Sequence, residues 1–176
     1  MRTTCLLLAF GLGALGCATS SGPFAATAAS KPSPSPALKA DVESKVSGWK
    51  TVVYANRRPN ADVVFYGLAD WRDAMDAAKA AGAKDISLVV VFDGPALPLA
   101  LNDAAFDRVM GTTGGNPWKS LVADLQKSGA GVEACGTRMG ELGVGNADLL
   151  PGVKVDADGW TRVIELQSKG FSLFQT

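Results

Sequence analysis

The residue best suited to chemistry in this sequence is Cys135. It ends the apolar stretch 132–135 and is followed by Gly136, Thr137 and Arg138. A thiol between a strand end and a helix start lies beside free backbone N–H groups, which favour the thiolate, as does a nearby arginine. Gly136 permits a tight turn there, and Thr137 could cap the following helix. We therefore expect a solvent-accessible thiol with a pKa below about 8.5. The alternative is a thiol that only packs in the core, since free cysteines are often buried.

Three arginines near the same end of the predicted sheet could bind an anion. Arg57 and Arg58 follow the first predicted strand, and Arg138 follows Cys135. A basic pair in a loop is also commonly just solvated, which is the alternative for Arg57 and Arg58. The glycine-rich segment 111–115 lacks the Gly-Lys-Ser/Thr ending of a phosphate-binding loop, so we interpret it as a hinge or crossing.

Composition excludes several classes of function. The chain has no histidine, which removes Ser-His-Asp and Cys-His relays and His-ligated zinc. Its three cysteines, Cys5, Cys17 and Cys135, form no CxxC pair, so a dithiol or Cys-rich metal site is not expected. Lys plus Arg equals Asp plus Glu at 17 each, which gives no field to attract nucleic acid. We predict no metal, no cofactor and no nucleic-acid partner.

Strands and helices alternate along the chain from about residue 41. Alternation of this kind favours a mainly parallel five-stranded sheet with helices on both faces. Ligands of such sheets gather beyond the carboxyl ends of the strands, which is where Cys135 lies. The predicted strands are 51–55, 86–92, 132–135, 153–155 and 171–174, and the predicted helices are 60–82, short pieces within 97–110, 117–129 and 160–169.

The first 17 residues are typical of an export signal. Arg2 supplies a positive start, and Leu6–Leu15 is an apolar run too short to span a bilayer as a stable anchor. The run ends in Gly16-Cys17, which resembles a bacterial lipobox and predicts lipidation of Cys17 and anchoring to a membrane. Ordinary cleavage further on, for example after residue 28, is the alternative and would give a soluble periplasmic protein. Residues 18–40 are rich in Ala, Ser and Pro and predict an extended linker before one domain at 41–176.

Four segments together resemble the DsrE/DsrF-like family. They are FDGPA at 92–96, GVEACGT at 131–137, DLLPGVKV at 148–155 and IELQSKGF at 164–171, within a similarity that spans about 50–174. The resemblance implies a flavodoxin-like parallel sheet and assembly into a homo-oligomer. It also implies a sulfur-carrying cysteine, matched here by Cys135, that exchanges sulfur with a donor or acceptor protein.

The function expected from the sequence is therefore that of an exported DsrE/F-like sulfur carrier or thiol-reactive protein acting through Cys135. A carrier or binding protein is favoured over a turnover enzyme. The alternative is a non-catalytic oligomeric binding module in which Cys135 is only core packing.

Overall fold

The computed structural model describes residues 41, 46–60 and 65–176, with residues 65 and 66 described by their backbone alone. The architecture described belongs to the unit formed by residues 42–176. The predicted export signal, the lipidation site Cys17 and the linker 18–40 lie outside the described residues, as does the first turn of the predicted helix at 60–82.

A five-stranded sheet forms the centre of the fold, in the spatial order β4-β3-β2-β1-β5. All of its strand pairs are parallel. The prediction of a five-stranded parallel sheet is therefore confirmed. The strands are β1 (Gly48–Ala55), β2 (Asp85–Phe92), β3 (Gly131–Cys135), β4 (Lys154–Asp156) and β5 (Ser172–Gln175).

Five α-helices are described, and each lies between successive strands. A π-helical turn at Phe65–Ala69 leads into the first helix, and 3-10 turns occupy Gly94–Ala100 and Asn146–Asp148. The short helical pieces expected within 97–110 are thus confirmed. The helices are α1 (Asp70–Ala80), α2 (Asp103–Met110), α3 (Lys119–Lys127), α4 (Gly136–Leu142) and α5 (Gly159–Ser168).

The two faces of the sheet are covered unequally. One face packs against α1 to α4, which contribute Met75, Phe106, Leu125 and Met139 to the larger core cluster. The other face packs against α5, which contributes Val163 and Leu166 to a smaller cluster. Each large apolar side chain buried in this way stabilises the fold by about 1.5–3 kcal/mol. The central strands are apolar along their length because both of their faces are covered.

A buried asparagine lies directly before the predicted helix at 117–129. Asn116 is 1 % exposed, and the helix begins only at Lys119, after Trp118. The Asn116 side chain accepts a hydrogen bond from the Trp118 N–H and donates to the carbonyl oxygens of Leu99 and Leu101, at 3.1 and 2.7 Å. The side-chain amide therefore fastens the 3-10 turn after β2 to the start of α3.

Among the described residues, the helices are all too short or too polar to cross a membrane.

Candidate functional site

The thiol of Cys135 lies where two helices begin. Cys135 is the last residue of β3 and directly precedes α4, as the sequence predicted. Its Sγ accepts a hydrogen bond from the backbone N–H of Gly159, the first residue of α5, at 3.3 Å. The backbone N–H of Arg138, within α4, is also close enough to lower the pKa of the thiol. The thiol thus lies near N–H groups from the first turns of α4 and α5.

Two glycines permit the close packing around this sulfur. A Cβ atom on Gly159 would lie 3.0 Å from the Oδ2 atom of Asp93. A Cβ atom on Gly136 would lie 2.7 Å from the carbonyl oxygen of Asp156, a contact that backbone cannot easily relieve. The first residues of α4 and α5 must therefore be small for the strand ends and the helices to meet.

The expectation of an accessible thiol with a lowered pKa is wrong. Cys135 is 2 % exposed. Burial is the largest influence on the thiol and raises its pKa above the ordinary value. The N–H groups of Arg138 and Gly159 act in the opposite direction, while the neighbouring Asp93 carboxylate raises the pKa further. The helix-start N–H groups are present as predicted, but the loss of solvent outweighs them.

Asp93 links the thiol to a buried tyrosine. Asp93 directly follows β2, and its carboxylate is close enough to the Cys135 thiol to raise the pKa of the thiol. The Oη atom of Tyr54 donates to Asp93 Oδ2 at 2.5 Å, and the Gly94 N–H donates to Oδ1 at 2.6 Å. Burial, followed by the hydrogen bond to Asp93, raises the pKa of Tyr54. At neutral pH the tyrosine is therefore a neutral hydrogen-bond donor, and Asp93 receives donors from several sides.

A second carboxyl group lies beside the thiol without a partner. Asp156 ends β4 and is paired with Cys135 in the register of the two strands. Within the described part of the chain, neither of its carboxyl oxygens has a hydrogen-bond partner, although both are buried. Burial, followed by the nearby Glu133 and Asp93 carboxylates, raises the pKa of Asp156 to about 7. This group exchanges a proton near neutral pH.

Glu133 forms a two-pronged contact with Arg162. The Nε and Nη2 atoms of Arg162 donate to the two carboxylate oxygens of Glu133 at 2.7 and 2.8 Å. Bidentate pairs of this kind hold both side chains in a fixed geometry. The pair fastens α5 to β3 one turn away from the thiol.

Sequence reasoning missed the acidic and phenolic neighbours of Cys135. A signal for Asp93 was present, because it follows a continuously apolar strand at the same end of the sheet as Cys135. Glu133 interrupts a short buried strand, which is also an unusual place for a carboxylate. Tyr54 and Asp156 carried no such signal.

The three arginines named from the sequence are not all together. Arg58 and Arg138 line one cleft with a volume of about 230 Å³, while Arg57 does not line it. The Arg138 side chain donates to the Gly94 carbonyl oxygen at 3.3 Å and pairs with Glu141 at 2.6 Å. Arg138 thus influences the thiol through its backbone N–H and lines the cleft with its side chain.

The capping role expected of Thr137 is wrong. The helix that follows Cys135 begins one residue earlier, at Gly136. The Thr137 hydroxyl donates instead to the carbonyl oxygen of Ala157 at 3.2 Å. This bond ties α4 to the loop between β4 and α5.

The described residues contain no group of three or more Cys, Asp or Glu side chains arranged to hold a metal ion. Among the acidic side chains near Cys135, Asp93 and Glu133 form the hydrogen bonds described above. The Asp156 side chain is buried without a hydrogen-bond partner in the described chain.

A family model decides how the chain is classified. The model of the DsrE/DsrF-like family matches residues 61–176, which is more than half of the chain. The chain belongs to the DsrE/DsrF-like family. The match includes Cys135, Asp93 and Asp156 but not Tyr54, so this family member's site extends beyond the matched region.

Solved structures agree with this DsrE/DsrF-like fold. The protein of unknown function MTH1491 from Methanobacterium thermoautotrophicum is 18% identical, with a TM-score of 0.58 over 72% of this chain and 99% of that one. The ychN protein from E. coli is also 18% identical, with a TM-score of 0.50 over 73% of this chain and 99% of that one. At this identity the likeness concerns the fold alone. No functionally curated protein matches the chain.

Proposed function

We propose that this DsrE/DsrF-like protein is exported and acts through Cys135 as a sulfur carrier or thiol-reactive protein. The observation that carries the proposal is the position of Sγ. Sγ lies at the carboxyl end of β3, near backbone N–H groups from the first turns of two helices. It is also close to the Asp93 carboxylate. N–H groups of this kind stabilise a thiolate once it forms, and the carboxylate offers a place for the proton.

The transfer step needs no external oxidant. The Cys135 thiolate attacks the outer sulfur of a donor persulfide, R–S–SH, and forms a new S–S bond. The S–S bond of the donor breaks, and RS⁻ leaves with that electron pair. The thiol proton passes to Asp93 and then to RS⁻, so that atoms and charge balance.

Because the thiol of Cys135 is buried, the protein must open before the thiol can react. Cys135 is buried and its sulfur accepts the N–H of Gly159, so we infer that a donor reaches Sγ only when the start of α5 moves away. In the closed state, burial and Asp93 keep the group a neutral thiol. The resting protein is therefore protected from oxidation, which suits a lone thiol in an oxidising compartment.

A second candidate function is favoured by the same burial. A cysteine that is 2 % exposed and whose pKa is raised by burial is also what core packing produces. In that case the protein is a non-catalytic oligomeric binding module.

Reaction with a small persulfide donor separates the two candidates. We expect a mass increase of one sulfur atom on the Cys135 peptide of the native protein, and none in Cys135→Ser. Alkylation by iodoacetamide should be slower than for a model thiol because the sulfur is buried. A Cys135 that stays unmodified by the donor until denaturant is added would support the binding module.

Export and anchoring are part of the proposal and rest on the sequence. We propose that residues 1–17 are a signal peptide, that Cys17 carries lipid, and that the protein faces the periplasm on the linker 18–40. Cys17→Ser should move the processed protein from the membrane fraction to the soluble fraction. Identical fractionation of both forms would contradict the anchor and leave the proposal for Cys135 intact.

We also propose that the protein assembles with copies of itself through α5. Trp160 and Ile164 of this helix are 53 % and 64 % exposed, although both are large and apolar. They lie on the face of the sheet that α5 alone covers among the described helices. Apolar side chains clustered on one helix commonly mark a protein interface.

A further inference from the structure

The cleft lined by Arg58 and Arg138 has the features of a binding site. It lies beside the site of Cys135 but is separate from it, because neither Cys135 nor Asp93 lines it. One wall is cationic, and the remainder is largely apolar. The apolar side chains of the cleft include Pro98, Val109, Met110 and Leu142.

The cationic wall has free hydrogen-bonding capacity. Arg138 is held in place by the Gly94 carbonyl oxygen and by Glu141, but its Nη2 atom donates to no described residue. Arg58 is exposed and forms no ion pair with any residue in the described part of the chain. Guanidinium groups match carboxylate and other oxyanions through paired N–H donors. Two of them in one cleft therefore favour an anionic ligand.

The apolar wall limits which anions fit. An inorganic ion would leave Val109, Met110 and Leu142 facing water, whereas a hydrocarbon chain would cover them and gain about 25 cal/mol per Å² of apolar surface buried. The volume of the cleft is about 230 Å³. It is smaller than the roughly 300–1,000 Å³ typical of drug-sized ligands. The ligand is accordingly small.

We propose that this cleft binds a small organic anion, a carboxylate or sulfonate with a short hydrocarbon body. The anionic group lies between Arg58 and Arg138, and the hydrocarbon lies against α2 and Leu142 of α4. This binding activity goes beyond the proposed function of Cys135 and does not depend on it. The cleft is formed by the turn after β2 and by α4, and both of these also adjoin the thiol. A ligand in the cleft therefore also contacts elements that position Cys135.

Titration calorimetry of the full-length protein with three probes tests the proposal. The probes are hexanoate, its neutral analogue hexanol, and inorganic sulfate. We expect saturable binding of hexanoate, with hexanol and sulfate each bound at least about tenfold more weakly, because each lacks one of the two kinds of contact. Equal binding of sulfate and hexanoate would overturn the organic part of the proposal, and no binding of hexanoate at millimolar concentration would overturn it entirely.

Arginine variants locate the binding. Arg58→Gln should weaken hexanoate binding by about tenfold, as expected for the loss of a charge-assisted contact. Arg57→Gln is the matched control, because it removes the same charge one residue away from the cleft. Equal loss in both variants would show general charge attraction and contradict the site. Arg138→Gln should also weaken binding. Arg58→Gln remains decisive if Arg138→Gln misfolds, since Arg58 holds no described ion pair.

Discussion

Replacing Asp156 with asparagine should remove a pH dependence from the stability of the protein. Asp156 has two buried carboxyl oxygens without a hydrogen-bond partner in the described chain, and burial raises its pKa from 3.8 to about 7. The folded protein therefore holds a proton that the unfolded chain releases between these two pH values. Because the native state binds more protons, the free energy of unfolding falls as pH rises from about 4 to about 7 and then levels off.

The size of the effect follows from the pKa. At about 1.36 kcal/mol for each pKa unit, the rise from 3.8 to about 7 corresponds to about 4 kcal/mol for a fully buried group. Asp156 is only partly buried, and solvent screening reduces this by roughly half, to about 2 kcal/mol. Asp156→Asn keeps the shape of the side chain but cannot ionise. Its stability relative to the natural protein should therefore improve by about 2 kcal/mol between about pH 4 and about pH 8.

Urea unfolding of both proteins across this pH range measures the difference. The comparison between two pH values cancels any fixed cost of introducing the amide. Asp158→Asn is a matched control, because Asp158 caps α5, its pKa is lowered, and asparagine is an equally good cap. Its profile should run parallel to that of the natural protein except at the acid end. Parallel profiles for Asp156→Asn and the natural protein would refute a raised pKa for Asp156.

Two further predictions concern assembly and packing. Ile164→Glu should convert the proposed oligomer to a folded monomer in light scattering, because Ile164 is exposed in the single chain. A natural protein that is already monomeric would contradict the proposed interface. Asn116→Ala should destabilise the fold by about 2–4 kcal/mol in urea unfolding, since it leaves the buried carbonyl oxygens of Leu99 and Leu101 without their donor. A loss below about 0.5 kcal/mol would show that this amide does not fasten the turn to α3.

The sheet was predictable because its strands are simple in pattern. All five residues from Leu88 to Phe92 are buried. Continuous apolar runs of this kind arise when both faces of a strand are covered. The location of Cys135 at a strand end followed from the Gly136 that directly succeeds it. The burial of the thiol and its raised pKa depend instead on contacts between residues far apart in the sequence. The N–H of Gly159, which hydrogen bonds to the sulfur, comes from a helix that begins 24 residues further along the chain.

The contacts among the residues around Cys135 also depend on pairings between distant parts of the sequence. Tyr54 and Asp93 lie 39 residues apart in sequence, and only the pairing of β1 with β2 brings them into contact. The pairing of Arg58 with Arg138 across one cleft likewise depends on how the turn after β2 meets α4. A local pattern predicts which residues lie at the same end of a sheet. It does not predict which of them touch.

The pairing of β1 with β5 also affects when the protein can fold. β1 is the first strand, yet one of its neighbours is formed by Ser172–Gln175 at the end of the sequence. The side chains of Thr51 and Ser172, which hydrogen bond at 2.9 Å, are 121 residues apart. One edge of β1 therefore stays open until residues 172–175 have been synthesised, and closure of such distant contacts is slow. The sheet can close on that side only once β5 has left the ribosome, so β1 to β4 are all synthesised before their sheet is complete.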